Sequence, residues 1–461
     1  MNYHAHYAGI PGRIEACVVG GGAFGRSFLA QAGRIPRLLA RVVVDVTAEA
    51  AGEALAAAGM PRRDIRLCRT TAEARAAWDQ GHGIAAGAFE LVQPLPFDIM
   101  IEATGHPEAA ARHALGAIDA RRHILMVTKE TDSVAGPMLA RLAETAGVGM
   151  TPVDGDQPSL LIGLTSWAEV LGFDIVAAGK SSEYDFVFDA ATSAVTSNGV
   201  RASLPQLGAL WHPGTRALSA VAAERAAILG AAFPLSAVPD LCELTVVANA
   251  TGLVPDVPAL HAPPARIGEL ASLLSTGPEH GVMAGTRRLD VFHHLRAPDE
   301  ASFAGGVFVV VGCQDQASWQ VLAGKGHPVS ADGKTALIYQ PRHLLGLEAA
   351  TSVFDLVGLG RSGYGAAYLP RIDLVAVATR DLPAGTRLAA EGHHHTIAGV
   401  GAEMRPMSPV ARDESAPYYL VANRLLARAR KAGEAIRLSD LEIEPGSVLL
   451  DLRLRQDRTF A

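Results

Sequence analysis

Apolar residues in the first third of the chain come in short, nearly unbroken runs, at 15–20 (EACVVG), 41–45 (RVVVD), 98–104 (DIMIEAT), 123–128 (HILMVT) and 148–153 (VGMTPV). Runs of this length, apolar on both faces, predict strands covered on both sides. Between them lie alanine-rich stretches at 48–58, 107–120 and 134–146 that predict helices. The alternation predicts parallel βα units, an α/β doubly wound sheet of the Rossmann type over residues 1–153.

After residue 153 the rhythm changes. A helical stretch at 159–171 leads into the strand FDIVAAGK and then into a proline-rich middle. We expect an α+β substrate-binding and dimerisation domain over 154–370 and a small β-rich module over 371–461, where the pieces at 374–388 and 429–443 each carry a glycine turn. A length of 461 residues exceeds what one core serves, which fits several domains.

Composition narrows the classes. A formal charge of -7 without clustered Lys and Arg argues against nucleic-acid binding. No stretch reaches the apolar length of a membrane span, and the first residues, MNYHAHYAGIPG, lack a secretory pattern, so a cytoplasmic protein is expected. Cys17, Cys68, Cys242 and Cys313 show no CxxC spacing and read as reduced core thiols.

The strongest local signal is Gly20-Gly21-Gly22-Ala23-Phe24-Gly25, a GxGxxG between a strand and a helix. In such a loop Gly20 turns the chain, Gly22 lets backbone approach a pyrophosphate, and Gly25 permits close packing, while the helix N-terminus attracts anions. Asp45 ends the second strand, where an acid accepts from ribose hydroxyls and repels a 2′-phosphate. The expected cofactor is therefore NAD(P)H. Asp45 favours NAD, and Arg41 with Arg62-Arg63 keeps NADP open. Thr104-Gly105-His106 and Thr128-Lys129-Glu130 end later strands and should border the nicotinamide, with Lys129 either a catalyst or a surface lysine.

Asp154 and Asp156 flank a glycine just before a helix. They read as substrate or divalent-metal contacts, or, for Asp156, as a helix cap. Lys180 ends the next strand, with Glu183 close behind it, and is placed to act as a general acid opposite Lys129. His393-His394-His395 and His293-His294 are weak metal candidates, since adjacent side chains do not converge. His106 is better placed for chemistry.

Several stretches together resemble the 1-deoxy-D-xylulose 5-phosphate reductoisomerase-like proteins, built on a homoserine-dehydrogenase-like framework. They are GGGAFG, VTKE, GDQPSLLIGLTSWAEVLGFDIVAAGK (155–180), VVANATGL (246–253) and YQPRHLLGLEAATSV (339–353), and the C-terminal strand pieces resemble a SAF domain. The resemblance implies reduction or reductoisomerisation of a small polyol, keto-sugar or sugar phosphate, in a homodimer or higher homo-oligomer. It also implies that Asp156, Gln157, Lys180, Asn249, Thr251, Arg342 and His343 line the cleft. Isomerisation would call on a divalent ion, for which Asp154, Asp156 and Glu183 are the candidates. One stretch departs from the family: in place of a DGTKS-like segment this chain has Ala237-Val238-Pro239-Asp240-Leu241, and Pro239 cannot replace a phosphate-binding lysine. Two other readings compete, a homoserine dehydrogenase-type amino alcohol dehydrogenase and a non-catalytic cofactor-sensing protein.

Overall fold

The computed structural model describes residues 1–235, 238–392 and 396–460; Ala237 and His393–His395 lie outside them. After the short helix α1 (Tyr3–Tyr7), strands β1 (Ile14–Val19), β2 (Leu38–Val44), β3 (Ile65–Cys68), β4 (Gly83–Ala86), β5 (Ile99–Glu102), β6 (His123–Met126) and β7 (Met150–Pro152) form one sheet. Its order is β3-β4-β2-β1-β5-β6-β7 and every pairing is parallel. The connections between strands run through α2 (Ala23–Ala32), α3 (Ala48–Ala57), α4 (Thr71–Asp79), α5 (Pro107–Asp119) and α6 (Lys129–Thr145). The chain thus folds as a Rossmann-type α/β unit, and strand order reverses between β1 and β5, where such sheets open a ligand crevice.

Two strands, β3 and β4, and helix α4 were not anticipated. They add an edge beyond β2. Four-residue strands give too short a run for periodicity to register. Helix α6 begins at Lys129, five residues before its expected start, because the polar segment Lys129–Ser133 hides the helical pattern although Glu130, Thr131, Asp132 and Ser133 are all buried.

Helix α7 (Gln157–Val170) leads into β8 (Ile175–Ser181) and the meander β9 (Phe186–Asp189), β10 (Ala194–Ser197) and β11 (Val200–Ser203). Helices α8 (Leu218–Gly230) and α9 (Val238–Thr251) follow, then two-residue strands β12 (Val254–Pro255) and β13 (Pro264–Ala265) and the long strands β14 (Arg288–Arg296), β15 (Val307–Gly312) and β16 (Thr335–Gln340). The mixed sheet runs β11-β10-β9-β14-β8-β15-β16, with β8 at its centre between β14 and β15. Helix α9 is apolar around most of its circumference and is buried accordingly. The middle region is richer in regular structure than its proline content predicts.

Residues 349–359 fall in the stretch expected to be middle domain, yet Ala349, Val353 and Leu356 pack into the nucleotide-domain core with Val18, Phe28 and Ile101. In the C-terminal region β17 (Ile372–Ala378) heads a small antiparallel sheet, whereas the expected strand at 429–443 contributes only Leu441–Glu442 and isolated bridges. A final helix, Val448–Thr459, packs on α5 and α6. All four cysteines are buried and unpaired. Among the described residues no helix is long and apolar enough to cross a membrane.

Candidate active site

The glycine loop joins β1 to α2. Gly20 has φ +103, and a Cβ there would lie 2.5 Å from the Ala103 carbonyl oxygen, so the position admits only glycine. A Cβ on Gly25 would sit 2.1 Å from the Gly20 oxygen, which makes Gly25 the packing glycine. Gly22 differs. It precedes the first turn of α2, and a Cβ on it would meet no heavy atom within 4 Å. Open space in front of a helix N-terminus is what a pyrophosphate requires, so these residues fit a dinucleotide. Ala23 and Phe24 open the helix behind it.

Asp45 follows β2 and accepts from the Gly21 amide at 2.9 Å and from the Val46 amide at 2.7 Å, which ties the acid to the loop. Arg41 and Arg62 are engaged elsewhere, while Arg63 is exposed beside Asp64. Arg41 is buried, stacks 4.1 Å from the Trp78 ring centroid and donates to the Trp78 and His82 carbonyls. Arg62 is engaged with both carboxylate oxygens of Glu53, at 2.6 and 2.7 Å.

Across the switch point, Glu102 at the end of β5 is fully buried and organises both neighbouring loops. It accepts from the Thr104 hydroxyl at 2.7 Å and from the Thr128 hydroxyl, and faces His113 Nδ1 at 3.1 Å. Thr128 in turn accepts from the Gly105 amide at 3.0 Å. His106 is exposed, and its Nδ1 accepts from the Ala109 amide as the cap of α5. Glu102 sits in an otherwise apolar strand, where a lone acid is itself the signal of a buried polar site.

At the reacting end five side chains converge. Lys129, the first residue of α6, donates to Asp156 Oδ1 at 3.3 Å and to Glu243. Lys180, near the end of β8, donates to Asp240 Oδ1 at 2.6 Å and to the other oxygen of Glu243. Glu243 therefore bridges the two lysines. Burial opposes its charge, but the two ammonium groups hold its carboxyl down at about 2. Burial works against both ammoniums as well, yet the surrounding carboxylates leave each more firmly protonated than an ordinary lysine.

The two lysines are not equivalent. The Lys129 side chain is 23% exposed and that of Lys180 only 2%, so the expectation that Lys180 meets a substrate directly needs correcting. Its ammonium is enclosed by Asp240 and Glu243. Neither acid was anticipated as functional, although two carboxylates three residues apart in the apolar helix α9 share one face and mark a buried ionic site.

Asp156 caps α7 by accepting from the Gln157 amide at 3.0 Å, the second of its expected roles, while its Oδ1 also faces Lys129. Asp154 is turned away, accepting from the Ser159 and Thr351 hydroxyls at 2.7 and 2.6 Å. Glu183 is exposed on the turn after β8. Among the described residues no group of three or more His, Cys, Asp or Glu side chains is arranged to hold a metal ion, so the metal candidates do not assemble.

His343 joins the cleft. A Cβ on Gly305 would lie 2.4 Å from its ring and 2.8 Å from the Gln157 amide nitrogen, which places all three together, and His343 Nδ1 is buried with no partner among the described residues. The segment carrying it is pressed against the cofactor helix. Gly346 donates to Ser27 Oγ at 3.0 Å, and a Cβ on Gly155 would fall 1.8 Å from the Leu345 oxygen. Arg342 beside it is exposed. Asn249 and Thr251 are not brought here. Asn249 accepts from the amides of Arg371 and Ile372 and donates to the Ile372 carbonyl, fastening the start of β17, while Thr251 bonds back to the Val247 carbonyl. Asn249 lies between one and two turns beyond Glu243 on α9, and Thr251 just over two.

Residues 235–349, which carry Asp240, Glu243 and His343, match the family model described as oxidoreductase DRL, catalytic domain. This segment is similar to an oxidoreductase catalytic domain. No curated protein gives a match to the chain. Solved structures that align with it include a DOX-P reductoisomerase with fosmidomycin and magnesium, at 17% identity over 37% of this chain and 46% of that chain, TM-score 0.27. The WlbA dehydrogenase from Bordetella pertussis, in complex with NADH and UDP-GlcNAcA, aligns at 16% identity over 38% and 48%, TM-score 0.27. An oxidoreductase from Bacillus cereus aligns at 12% identity over 75% and 89%, TM-score 0.33. The chain spans under half the length of the first two.

Proposed function

We propose that the protein is an NAD(P)H-dependent oxidoreductase of the dehydrogenase or reductoisomerase type, acting on a carbonyl of a small polyol, keto-sugar or sugar phosphate. The observation that carries this reading is the half-buried Lys129 ammonium, backed by Asp156 and Glu243, on the same rim of the parallel sheet as the glycine cradle. Gly20, Gly22, Gly25 and the N-terminus of α2 would hold the pyrophosphate and Asp45 the adenosine ribose. NAD is favoured over NADP, because Arg41 and Arg62 are both engaged elsewhere. A bound nicotinamide supplies or accepts hydride at the substrate carbon.

Lys129 does the complementary work at oxygen. Its ammonium polarises the carbonyl and gives a proton to the alkoxide as negative charge develops there; solvent reprotonates the amine. An ammonium held this firmly protonated loses little to water but meets a stronger base in an alkoxide. Glu243 and Asp156 keep Lys129 charged and aimed. Lys180 acts through Glu243, as a positioning residue. His343, Gln157 and Gly305 form the neighbouring wall for substrate hydroxyls.

The test is oxidation of NADH or NADPH by the purified full-length chain, followed by nicotinamide absorbance with 1-deoxy-D-xylulose 5-phosphate and a panel of unphosphorylated keto-sugars and aldehydes. We expect turnover with one of these classes that falls at least about a hundredfold in Lys129→Met, while NADH still binds. Turnover undiminished in that variant would refute the assignment of Lys129.

A further inference from the structure

Helix α6, which begins at Lys129, contains Pro137. Proline has no N–H to give and its ring displaces the carbonyl four residues back, so a helix opens at that point. It does: Ala135 leaves helical geometry, with φ -143 and ψ 17, yet the surrounding segment from Val134 to Leu139 is buried. The opening strands a carbonyl at Val134 and an amide at Met138, and neither has access to water.

Both are satisfied by one side chain from far along the sequence. Gln456, in the final helix, accepts from the Met138 amide at 3.2 Å and donates to the Val134 carbonyl at 3.2 Å. Its planar amide replaces the missing backbone bond. The other end of the same final helix is capped by Glu108, in the first turn of α5, which accepts from the Ser447 hydroxyl at 2.9 Å and the Val448 amide at 2.6 Å. Arg453, fully buried, pairs with Asp373 at 2.6 Å and with Asp457 at 2.7 Å, fixing the final helix to β17. One element thus grips the two helices whose first residues edge the cleft, α5 directly after the Thr104–His106 loop and α6 at Val134 and Met138, five and nine residues beyond Lys129.

We infer that the C-terminal helix is a brace that sets Lys129 against the cofactor loop, with Gln456 as its positioning residue. The catalytic consequence rests on the function proposed above; the brace itself does not. In the whole chain, Gln456→Leu keeps the volume and removes both hydrogen bonds, whereas Gln456→Glu can restore both only when its carboxyl is protonated, donating to Val134 and accepting from Met138.

Amide hydrogen exchange reads the brace without any substrate. We expect exchange across 130–138 to quicken about tenfold or more in Gln456→Leu, with β1 unchanged, and wild-type exchange there would overturn the inference. Activity reads the consequence. The kcat of Gln456→Leu should fall about tenfold with NADH affinity kept within about twofold, and Gln456→Glu should recover toward wild type as pH is lowered. Equal loss in both variants at every pH would reduce Gln456 to a packing residue and overturn the positioning role. Faster exchange in a protein that turns over none of the tested substrates would sustain the brace and count against the proposed reaction instead.

Discussion

The two ends of the cleft are made of different materials. The nucleotide end is backbone: a glycine turn, a helix terminus and one acid, nearly all within residues 20–45. The reacting end is charge, assembled from α6, α7, β8 and α9, and its Glu243 meets a lysine 114 positions away in sequence. A backbone site depends on which residues can adopt a given turn, and it is therefore local. A charge site depends on what the fold brings together, and each member looks ordinary alone.

Substitution within the glycine loop tests the first half most severely. Gly25→Ala drives a methyl into the Gly20 carbonyl and should abolish measurable NADH binding, a loss of at least about a hundredfold, with a lowered thermal midpoint. Gly22→Ala separates space from stability. Its methyl meets nothing in the protein, so the midpoint should move by only about 1 kcal/mol equivalent while NADH affinity collapses. Intact affinity in Gly22→Ala, read by nicotinamide fluorescence, would place the pyrophosphate elsewhere.

The reacting end breaks differently. Glu243→Gln leaves Lys180 facing Asp240 alone and Lys129 facing Asp156 alone. Each lysine keeps one carboxylate, so we expect a stability loss of about 2 to 3 kcal/mol from the weakened charged hydrogen bonds and a drop in turnover of about two orders of magnitude. Denaturant unfolding and steady-state kinetics check the two effects on one preparation. A variant as stable and active as wild type would show that Glu243 is only a bystander between the lysines.

That contrast also explains what could be read in advance. The glycine loop, the helix behind it and the strand carrying Lys180 were legible because each obeys a short-range rule. So was the approach of Lys129 and Asp156, which follow neighbouring strands on one rim of the parallel sheet, and of Lys180 from the strand that opens the next sheet. Asp240 and Glu243 were visible as residues but not as partners, because α9 reaches the rim only through tertiary packing. Asn249 sits in the motif that the resemblance placed at the cleft, yet the hydrogen bonds to 371–372 claim it for the joint to β17. The helix at 448–459 went unpredicted for a related reason. Its buried Arg453, Gln456 and Asp457 look like a solvent face until their partners are known.

Burial beside the charge cluster also shapes the response to pH. It lifts Glu130 to about 7 and Asp132 and Asp290 to about 6, the last two despite hydrogen bonds that oppose the rise. A carboxyl with a raised folded-state pKa binds its proton more tightly when folded. Its contribution is full below the unfolded value near 4 and is lost as pH rises through 6 to 7. Glu243, held at about 2, contributes in the opposite sense: fully above about 4.5, and progressively less as pH falls toward 2. The thermal midpoint should therefore peak at about pH 4 to 5 and decline toward neutrality. Asp132→Asn, which retains an acceptor for Tyr364 or Tyr368, should remove on the order of 2 kcal/mol of that decline. An unchanged slope between about pH 4 and 7 would mean that Asp132 is ionised throughout.

The smallest expected effect bears on the substrate. Lys129 and Lys180 face Asp156, Asp240 and Glu243, two cations against three anions, so neither ammonium is free to neutralise a phosphate. A candidate cation for such a group is Arg342, exposed beside His343 on the segment packed against the cofactor helix. Arg342→Ala should leave folding and NADH binding untouched. With an unphosphorylated substrate its KM should stay within about threefold of wild type, because an exposed guanidinium contributes little to neutral hydroxyls. With a phosphorylated one the KM should rise at least about tenfold, since a charge-assisted contact is lost. The balance of charge around Glu243 favours the first outcome, and a large KM effect would instead make Arg342 the residue that compensates for Pro239.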